Sequence, residues 1–197
     1  MKRNFEERLP DGYQLVKVID AKEGKTAVIL SISALVATII LAYLGVVLVI
    51  KAKGAVSFDE FILSSRYFIF LAVMILYTIA HELTHGAAYK LLTGQKLTFG
   101  LTLTVAFCGV PQIYVYRKAA LISVLAPFVV FSIVFGLPLF FLNNAIDLMI
   151  TALMLAIHLG GCVGDLYVAW ELLFRFKDEN TLMNDTGPKQ TFYQKVR

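Results

Sequence analysis

The chain has 197 residues, of which 58% are hydrophobic and only 16% are charged, with a net charge of +4. Soluble globular domains contain about half hydrophobic and about a quarter charged residues, so this composition excludes an ordinary soluble protein. The two cysteines, Cys108 and Cys162, are too few for a disulfide framework and match no zinc-ribbon spacing.

The apolar excess falls into four blocks, and each is long enough to cross a bilayer, for which about 20 residues suffice. The blocks are residues 27–50, 67–92, 119–142 and 146–174. They predict an all-α integral membrane protein with four transmembrane helices, in which residues 27–174 form one catalytic domain. Residues 1–26 are then a cytoplasmic N-terminal segment and residues 175–197 a cytoplasmic tail. The first block begins too late for an ordinary signal peptide, so we expect it to remain as an anchor.

Lysine and arginine predict the orientation of these helices. They concentrate before the first block, in the loop after the second block, and in the tail, whereas the third loop has none. By the positive-inside rule both termini face the cytoplasm of a cell membrane, and the second and fourth spans run in parallel. The basic clusters are expected to contact anionic lipid head groups of the bilayer, and no nucleic-acid partner is needed to explain them.

The second block contains the sequence His81-Glu82-Leu83-Thr84-His85. Residues four apart lie on one helical face, so His81 and His85 can bind one zinc ion while Glu82 acts as the general base. Ionisable side chains are rare within the hydrocarbon and mark function when they occur there. The sequence therefore predicts a zinc site in the cytoplasmic half of the second span.

A catalytic zinc ion usually has three protein ligands and one water. Asp165 lies ten positions before Arg175, and His81 lies nine before Lys90, which places the two side chains at similar depth if both helices are straight. Asp165 is therefore the favoured third ligand. His158 is interpreted as orienting a ligand or polarising the substrate, although direct zinc binding by His158 or Cys162 stays open.

Residues 97–107 alternate between apolar side chains at odd positions and small or polar ones at even positions. This period of two is typical of a strand, and residues 109–112 and 113–116 supply a turn and a possible return strand. We therefore expect a short β-hairpin or a re-entrant segment after the second span. Its polar positions Thr98, Thr102 and Thr104 are candidates for binding an extended substrate peptide by strand addition.

The motif, the strand-like segment and the late Gly164-Asp165 pair together resemble the site-2 protease type of intramembrane zinc metalloprotease. Residues 67–174 also resemble a family of small bacterial membrane proteins described as putative zincin peptidases. The resemblance implies that His81, His85 and Asp165 hold zinc and that Glu82 is the base. In site-2 proteases the aspartate precedes a glycine, whereas here Gly164 precedes Asp165.

These observations predict a zinc-dependent intramembrane or membrane-proximal endopeptidase that hydrolyses peptide bonds of membrane proteins. The alternative is a non-hydrolytic membrane protein that binds a metal, either a metal carrier or a scaffold. A carrier needs polar groups along a route across the bilayer, but the first and third blocks contain no Asp, Glu, His, Lys or Arg. The peptidase is therefore favoured, and the oligomeric state stays open.

Overall fold

The computed structural model describes residues 3–101 and 106–196 of the chain. The helices are α1 (Gly24–Lys53), α2 (Phe58–Leu63), α3 (Ser65–Thr93), α4 (Arg117–Gly136), α5 (Ala145–Gly161) and α6 (Val163–Trp170). A 3₁₀ turn at Leu137–Phe140 extends α4, and a π-helical turn at Glu171–Arg175 extends α6.

The strands form two antiparallel sheets. They are β1 (Phe5–Glu6), β2 (Tyr13–Asp20), β3 (Thr98–Leu101), β4 (Ala106–Gly109), β5 (Tyr114–Tyr116), β6 (Leu182–Asp185) and β7 (Lys189–Lys195). The larger sheet has five strands in the order β1-β5-β6-β7-β2, and the smaller one pairs β3 with β4. The larger sheet therefore joins the polar segment before α1 to the segment that follows α6.

Local sequence signals explain several helix boundaries. Ser57 and Glu60 form a capping box at the start of α2, in which each side chain accepts a hydrogen bond from the other residue's backbone. The Asn144 side chain accepts hydrogen bonds from the Ile146 and Asp147 amides and begins α5. Cys162 ends α5, and α6 then continues after a bend of 42°.

Among the described residues, three helices are long and apolar enough to cross a membrane, namely α1, α3 and α4 with its 3₁₀ extension. Large apolar side chains around α1, such as Ile32, Leu35 and Ile39, are more than half exposed. A helix that is apolar all round and exposed needs a non-aqueous environment. These features are consistent with a membrane protein.

The prediction of an all-α, four-span membrane protein is wrong. The described chain contains a five-stranded sheet and a two-stranded sheet, and the fourth apolar block is not one straight helix but the bent pair α5 and α6. The predicted return strand also has other neighbours: β5 pairs with β1 and β6, while β3 pairs with β4. The apolar blocks alone could not reveal the sheets because the strands of the larger sheet lie mostly outside them.

The chain divides into two compact units, and each has its own core. The first comprises Met1–Leu30, His81–Pro127 and Gly164–Arg197, and the second comprises Ser31–Ala80 and Phe128–Val163. In the first unit, the fully buried Phe192 of β7 packs in a cluster that includes side chains of α3, α4 and α6. Truncating such a phenylalanine typically costs about 3–5 kcal/mol. The core of the second unit centres on Val49, Leu148, Met149 and Ala152.

Lys17, a residue at a β-bulge in β2, links the larger sheet to α6 and the turn that follows it. The pairing of β2 with β7 shifts between Leu15 and Lys17, so one extra residue is accommodated there. Lys17 Nζ lies 2.6 Å from Glu171 Oε1 and 2.9 Å from the Tyr167 hydroxyl. Burial lowers the pKa of Lys17, but these hydrogen bonds outweigh burial and leave the pKa above its usual value. Lys17 therefore supplies a positive charge to the nearly fully buried Glu171.

Candidate metal centre

Helix α3 carries the histidine–glutamate motif in its second half. His81 and His85 are both buried, at 9% and 8% exposure, and their rings lie 5.0 Å apart. One helical turn separates the two residues, which is why a single helix can direct both imidazoles to one point. The helix therefore brings two imidazole rings together.

Asp165 reaches the same point from the first turn of α6. Its Oδ2 lies 3.2 Å from His81 Nε2, and its Oδ1 lies 3.4 Å from His85 Nε2. The bend after Cys162 starts a new helix just before Asp165. One donor atom from each of the three side chains lies within 4.8 Å of the others, a spacing that could hold a metal ion.

A hydrogen bond to α4 sets the orientation of the second imidazole. His85 Nδ1 donates to the backbone carbonyl of Ser123 at 2.8 Å, so Nε2 is the nitrogen that faces Asp165. Histidines that bind metals commonly donate their other ring nitrogen to a carbonyl or carboxylate in this way. Two imidazoles and one carboxylate also leave room for a water ligand, so the residues fit a catalytic zinc ion.

Glu82 follows the first histidine and lies half-buried beside the small sheet. Its carboxylate accepts a hydrogen bond from the backbone of Cys108 in β4. Burial is the main cause that raises the pKa of the Cys108 thiol to about 12, with the nearby carboxylates of Glu82 and Asp185 adding to it. Without a bound metal, the thiol is therefore protonated at neutral pH.

The β3–β4 hairpin packs directly against α3 next to the motif. A methyl group built on Gly86 would lie 2.8 Å from the Phe99 ring, 3.1 Å from Leu97 and 3.2 Å from the Cys108 sulfur. Only glycine leaves space for this approach, one residue after His85. Thr98, the first residue of β3, is exposed and pairs with Gly109. Thr102 and Thr104 lie outside the described residues.

Tyr89 supports the motif helix from one turn further along, and the sequence analysis missed this contact. Its hydroxyl donates to Asp185 Oδ2 of β6 at 2.6 Å. Asp185 also accepts from the Gly187 amide and the Gln190 side chain, yet burial raises its pKa above the usual value. The spacing of four residues from His85 is the signal that could have placed Tyr89 on the motif face. Nothing in the sequence pointed to Asp185 as its partner.

His158 lies in α5, in the core of the second unit, and both of its ring nitrogens have partners. Nε2 donates to the Phe128 carbonyl at 3.3 Å and lies 3.2 Å from the Ser132 hydroxyl, while Nδ1 lies 3.0 Å from the Tyr77 hydroxyl. The Cys162 sulfur is 3.5 Å from Nδ1. Both ring nitrogens of His158 therefore have hydrogen-bond partners within the protein.

The site contains two histidines one turn apart, an adjacent glutamate and an aspartate from another helix. This arrangement is the one expected of a zinc hydrolase. A family model described as "Putative zincin peptidase" matches residues 74–179, more than half of the chain. The chain therefore belongs to this family, which is consistent with a metallopeptidase and implies zinc. The matched range contains the motif, Asp165 and His158. No curated protein and no solved structure shows significant similarity to the chain.

Proposed function

We propose that the protein is a zinc-dependent endopeptidase that cleaves membrane proteins within or beside the bilayer. The observation that carries the proposal is the convergence of His81, His85 and Asp165, whose donor atoms lie within 4.8 Å of one another. These three side chains would hold the ion. When bound, zinc would lower the pKa of a coordinated water and polarise the substrate carbonyl.

Each neighbouring residue has a definable role in this reaction. Glu82 takes a proton from the attacking water and passes it to the leaving amine, as the glutamate of this motif does in zinc peptidases. The hydrogen bond from the backbone of Cys108 holds the Glu82 carboxylate in position. The Ser123 carbonyl fixes the ring of His85, so that Nε2 remains the nitrogen available to the metal. No covalent intermediate with the protein is required.

The small sheet supports a peptide as the substrate. Within the described residues β3 has one partner strand, β4, so its other edge can accept an extended peptide by main-chain hydrogen bonds. The Gly86 contacts place this hairpin against the motif helix. An α-helical substrate would have to unwind before its scissile bond could enter such a site.

The membrane location rests on α1, α3 and α4, which are long and apolar enough to span a bilayer. The pairing of β2 with β7 keeps both ends of the chain on one side, so the bent pair α5 and α6 would have to supply a further crossing. With the lysine and arginine distribution, we place both termini in the cytoplasm and the metal site near the cytoplasmic face of the cell membrane. The lipid bilayer and a membrane-protein substrate are the partners that this arrangement requires.

Comparing Glu82→Gln with Glu23→Gln tests the reaction. Glu23 is an exposed carboxylate just before α1, so its substitution makes the same chemical change outside the site. Both variants should purify with about one zinc per chain, since neither residue is a ligand. Membranes from cells that express the wild type or Glu23→Gln should contain new protein N-termini, measured by N-terminal labelling and mass spectrometry. These should be missing with Glu82→Gln.

The positions of the new N-termini decide where cleavage occurs, because cuts inside apolar spans indicate intramembrane action and cuts beside them indicate membrane-proximal action. Zinc binding without any N-terminus that depends on Glu82 would contradict the peptidase. That result would instead support a metal-binding scaffold or carrier.

Strand addition is tested with peptide inhibitors that are N-methylated at alternate positions. Methyl groups on the amides that face β3 should weaken binding about 10-fold for each lost hydrogen bond, at about 1.4 kcal/mol each. Methylation at the intervening positions should leave the inhibition constant nearly unchanged. Equal effects at both sets of positions would argue against an added strand.

A further inference from the structure

A cavity of about 450 Å³ lies in the first unit beside the start of α4. Its lining includes three cationic side chains, those of Arg3, Arg117 and Lys118, and one carboxylate, that of Glu179. Tyr116, Asn4 and Asn180 add polar groups. None of these side chains belongs to the candidate metal centre, so the cavity has no role in the chemistry proposed above.

Contacts around the cavity hold two of its cations in place. Arg117 Nε donates to the backbone carbonyl of Leu172 at 2.7 Å, which fixes the plane of its guanidinium group. Arg3 forms an ion pair with Glu6 at 3.0 Å, and Tyr116 donates its hydroxyl hydrogen to Glu6 at 2.9 Å. Burial, followed by this hydrogen bond, raises the pKa of Tyr116 to about 12. Tyr116 is therefore neutral at physiological pH and does not repel an anion.

The position of the cavity along α4 points to the surface of a membrane. Arg117 is the first residue of a helix that is long and apolar enough to be a span, so the cavity lies at the polar end of that helix. Leu121, one turn into α4, forms an apolar part of the wall. Cationic side chains followed by an apolar wall match the order of groups in a phospholipid, from phosphate to glycerol and acyl chain.

We propose that this cavity binds a phosphate group, with the Arg117 guanidinium and the Lys118 ammonium as its principal donors. Arginine can present two parallel N–H groups to phosphate oxygens, while lysine acts as a mobile point charge. An anionic phospholipid at the membrane surface or free inorganic phosphate could supply this group, since both offer the same oxygens. Binding here is independent of peptide hydrolysis.

Titration calorimetry on the full-length protein in a non-ionic detergent tests the proposal. The probes are dihexanoyl phosphatidylglycerol, dihexanoyl phosphatidylcholine and inorganic phosphate. The variants are Lys118→Gln, Glu179→Gln and Lys189→Gln, the last an exposed lysine of β7 outside the cavity lining. Lys118→Gln should weaken binding of the anionic probe at least fivefold, whereas Lys189→Gln should leave the dissociation constant within twofold.

Glu179→Gln provides a change of opposite sign, because it removes the one carboxylate found among the described lining residues. This variant should bind the anionic probe about two- to fivefold more tightly, a gain that misfolding could not produce. Preference for phosphatidylglycerol over both other probes identifies a lipid head group, and equally strong binding of inorganic phosphate identifies the free ion. If no probe binds, or if all three variants bind like the wild type, the proposal is overturned.

Discussion

Buried histidines occupy two regions of this protein, and their surroundings differ in one decisive respect. His85 donates Nδ1 to a backbone carbonyl and turns Nε2 towards the Asp165 carboxylate. His158 is more deeply buried, but hydroxyl and carbonyl groups satisfy both of its ring nitrogens. Burial alone therefore does not identify a metal ligand. A ligand must also offer a lone pair to the ion, so the direction of the second nitrogen favours His85 as a ligand, which stays a prediction.

The largest effect that would sharpen this comparison is expected from His85→Ala. Removing one of three ligands should reduce bound zinc from about one per chain to a small fraction, as measured by elemental mass spectrometry on the purified protein. Far-UV circular dichroism should remain close to that of the wild type. Full zinc occupancy in this variant would remove His85 from the site.

Asp165→Asn and His158→Ala test the two regions against each other. Asp165→Asn should weaken zinc binding by about 100-fold or more, because losing only an outer partner of a ligand already costs about 10- to 100-fold. His158→Ala should change zinc affinity less than threefold. It should instead lower the free energy of unfolding by about 1–3 kcal/mol, since it leaves buried hydrogen-bonding groups without their partner. Reversed results for zinc would make His158 the third ligand.

Gly86→Ala tests the packing that distinguishes the motif region. The added methyl group would press on Phe99, Leu97 and Cys108, and such overpacking typically costs about 1–3 kcal/mol. We expect lower stability in urea and reduced peptidase activity, because the hairpin must shift away from α3. Gly136→Ala, at the end of α4, is the matched control, since no described atom beyond its chain neighbours and its own helix backbone lies within 4 Å of the added methyl group. Equal stability of the two variants would contradict the close contact.

The smallest effect is expected from Tyr89→Phe, which removes one hydrogen bond to the buried Asp185. The cost should be about 1–2 kcal/mol at pH 7, whereas Tyr43→Phe, at an exposed position of α1, should change stability by less than about 0.5 kcal/mol. Because the Tyr89 hydroxyl favours the charged carboxylate, the cost should shrink as the pH falls and Asp185 becomes protonated. Urea unfolding at pH 7 and pH 4.5 measures this difference, and a cost that grows towards low pH would reject the assigned contact.

The sequence predicts the helices of this protein better than its sheets. Long apolar blocks are an unambiguous signal, and α1, α3 and α4 lie where the blocks indicate. The block at residues 146–174 conceals its bend because composition carries no information about the axis of a helix. The larger sheet pairs β2 with β7, almost the full length of the chain apart, and such distant pairing leaves no local pattern. The β-branched residues in β2, such as Val16 and Val18, favour a strand but do not indicate its partner.

The candidate site was predictable where it depends on helical spacing. His81, Glu82 and His85 follow from the period of one helix, and the structure also brings Asp165 to them, although the depth argument assumed a straight fourth helix. The Ser123 carbonyl could not be predicted, because every residue has a carbonyl group and only the fold selects this one. The assignment of these residues as zinc ligands stays a prediction.

The strand order has a consequence for biosynthesis. In the order β1-β5-β6-β7-β2, the two strands made first lie at the edges, and three strands separate them, of which β6 and β7 are made last. Chains emerge from the ribosome at about 5–20 residues per second, so the apolar helices are synthesised many seconds before residue 195 completes the sheet. A nascent chain would therefore have inserted its motif helix before Asp185, which accepts the hydrogen bond from Tyr89, has been synthesised. Ribosome-stalled intermediates ending before residue 182 should thus lack the assembled sheet and, with it, proteolytic competence.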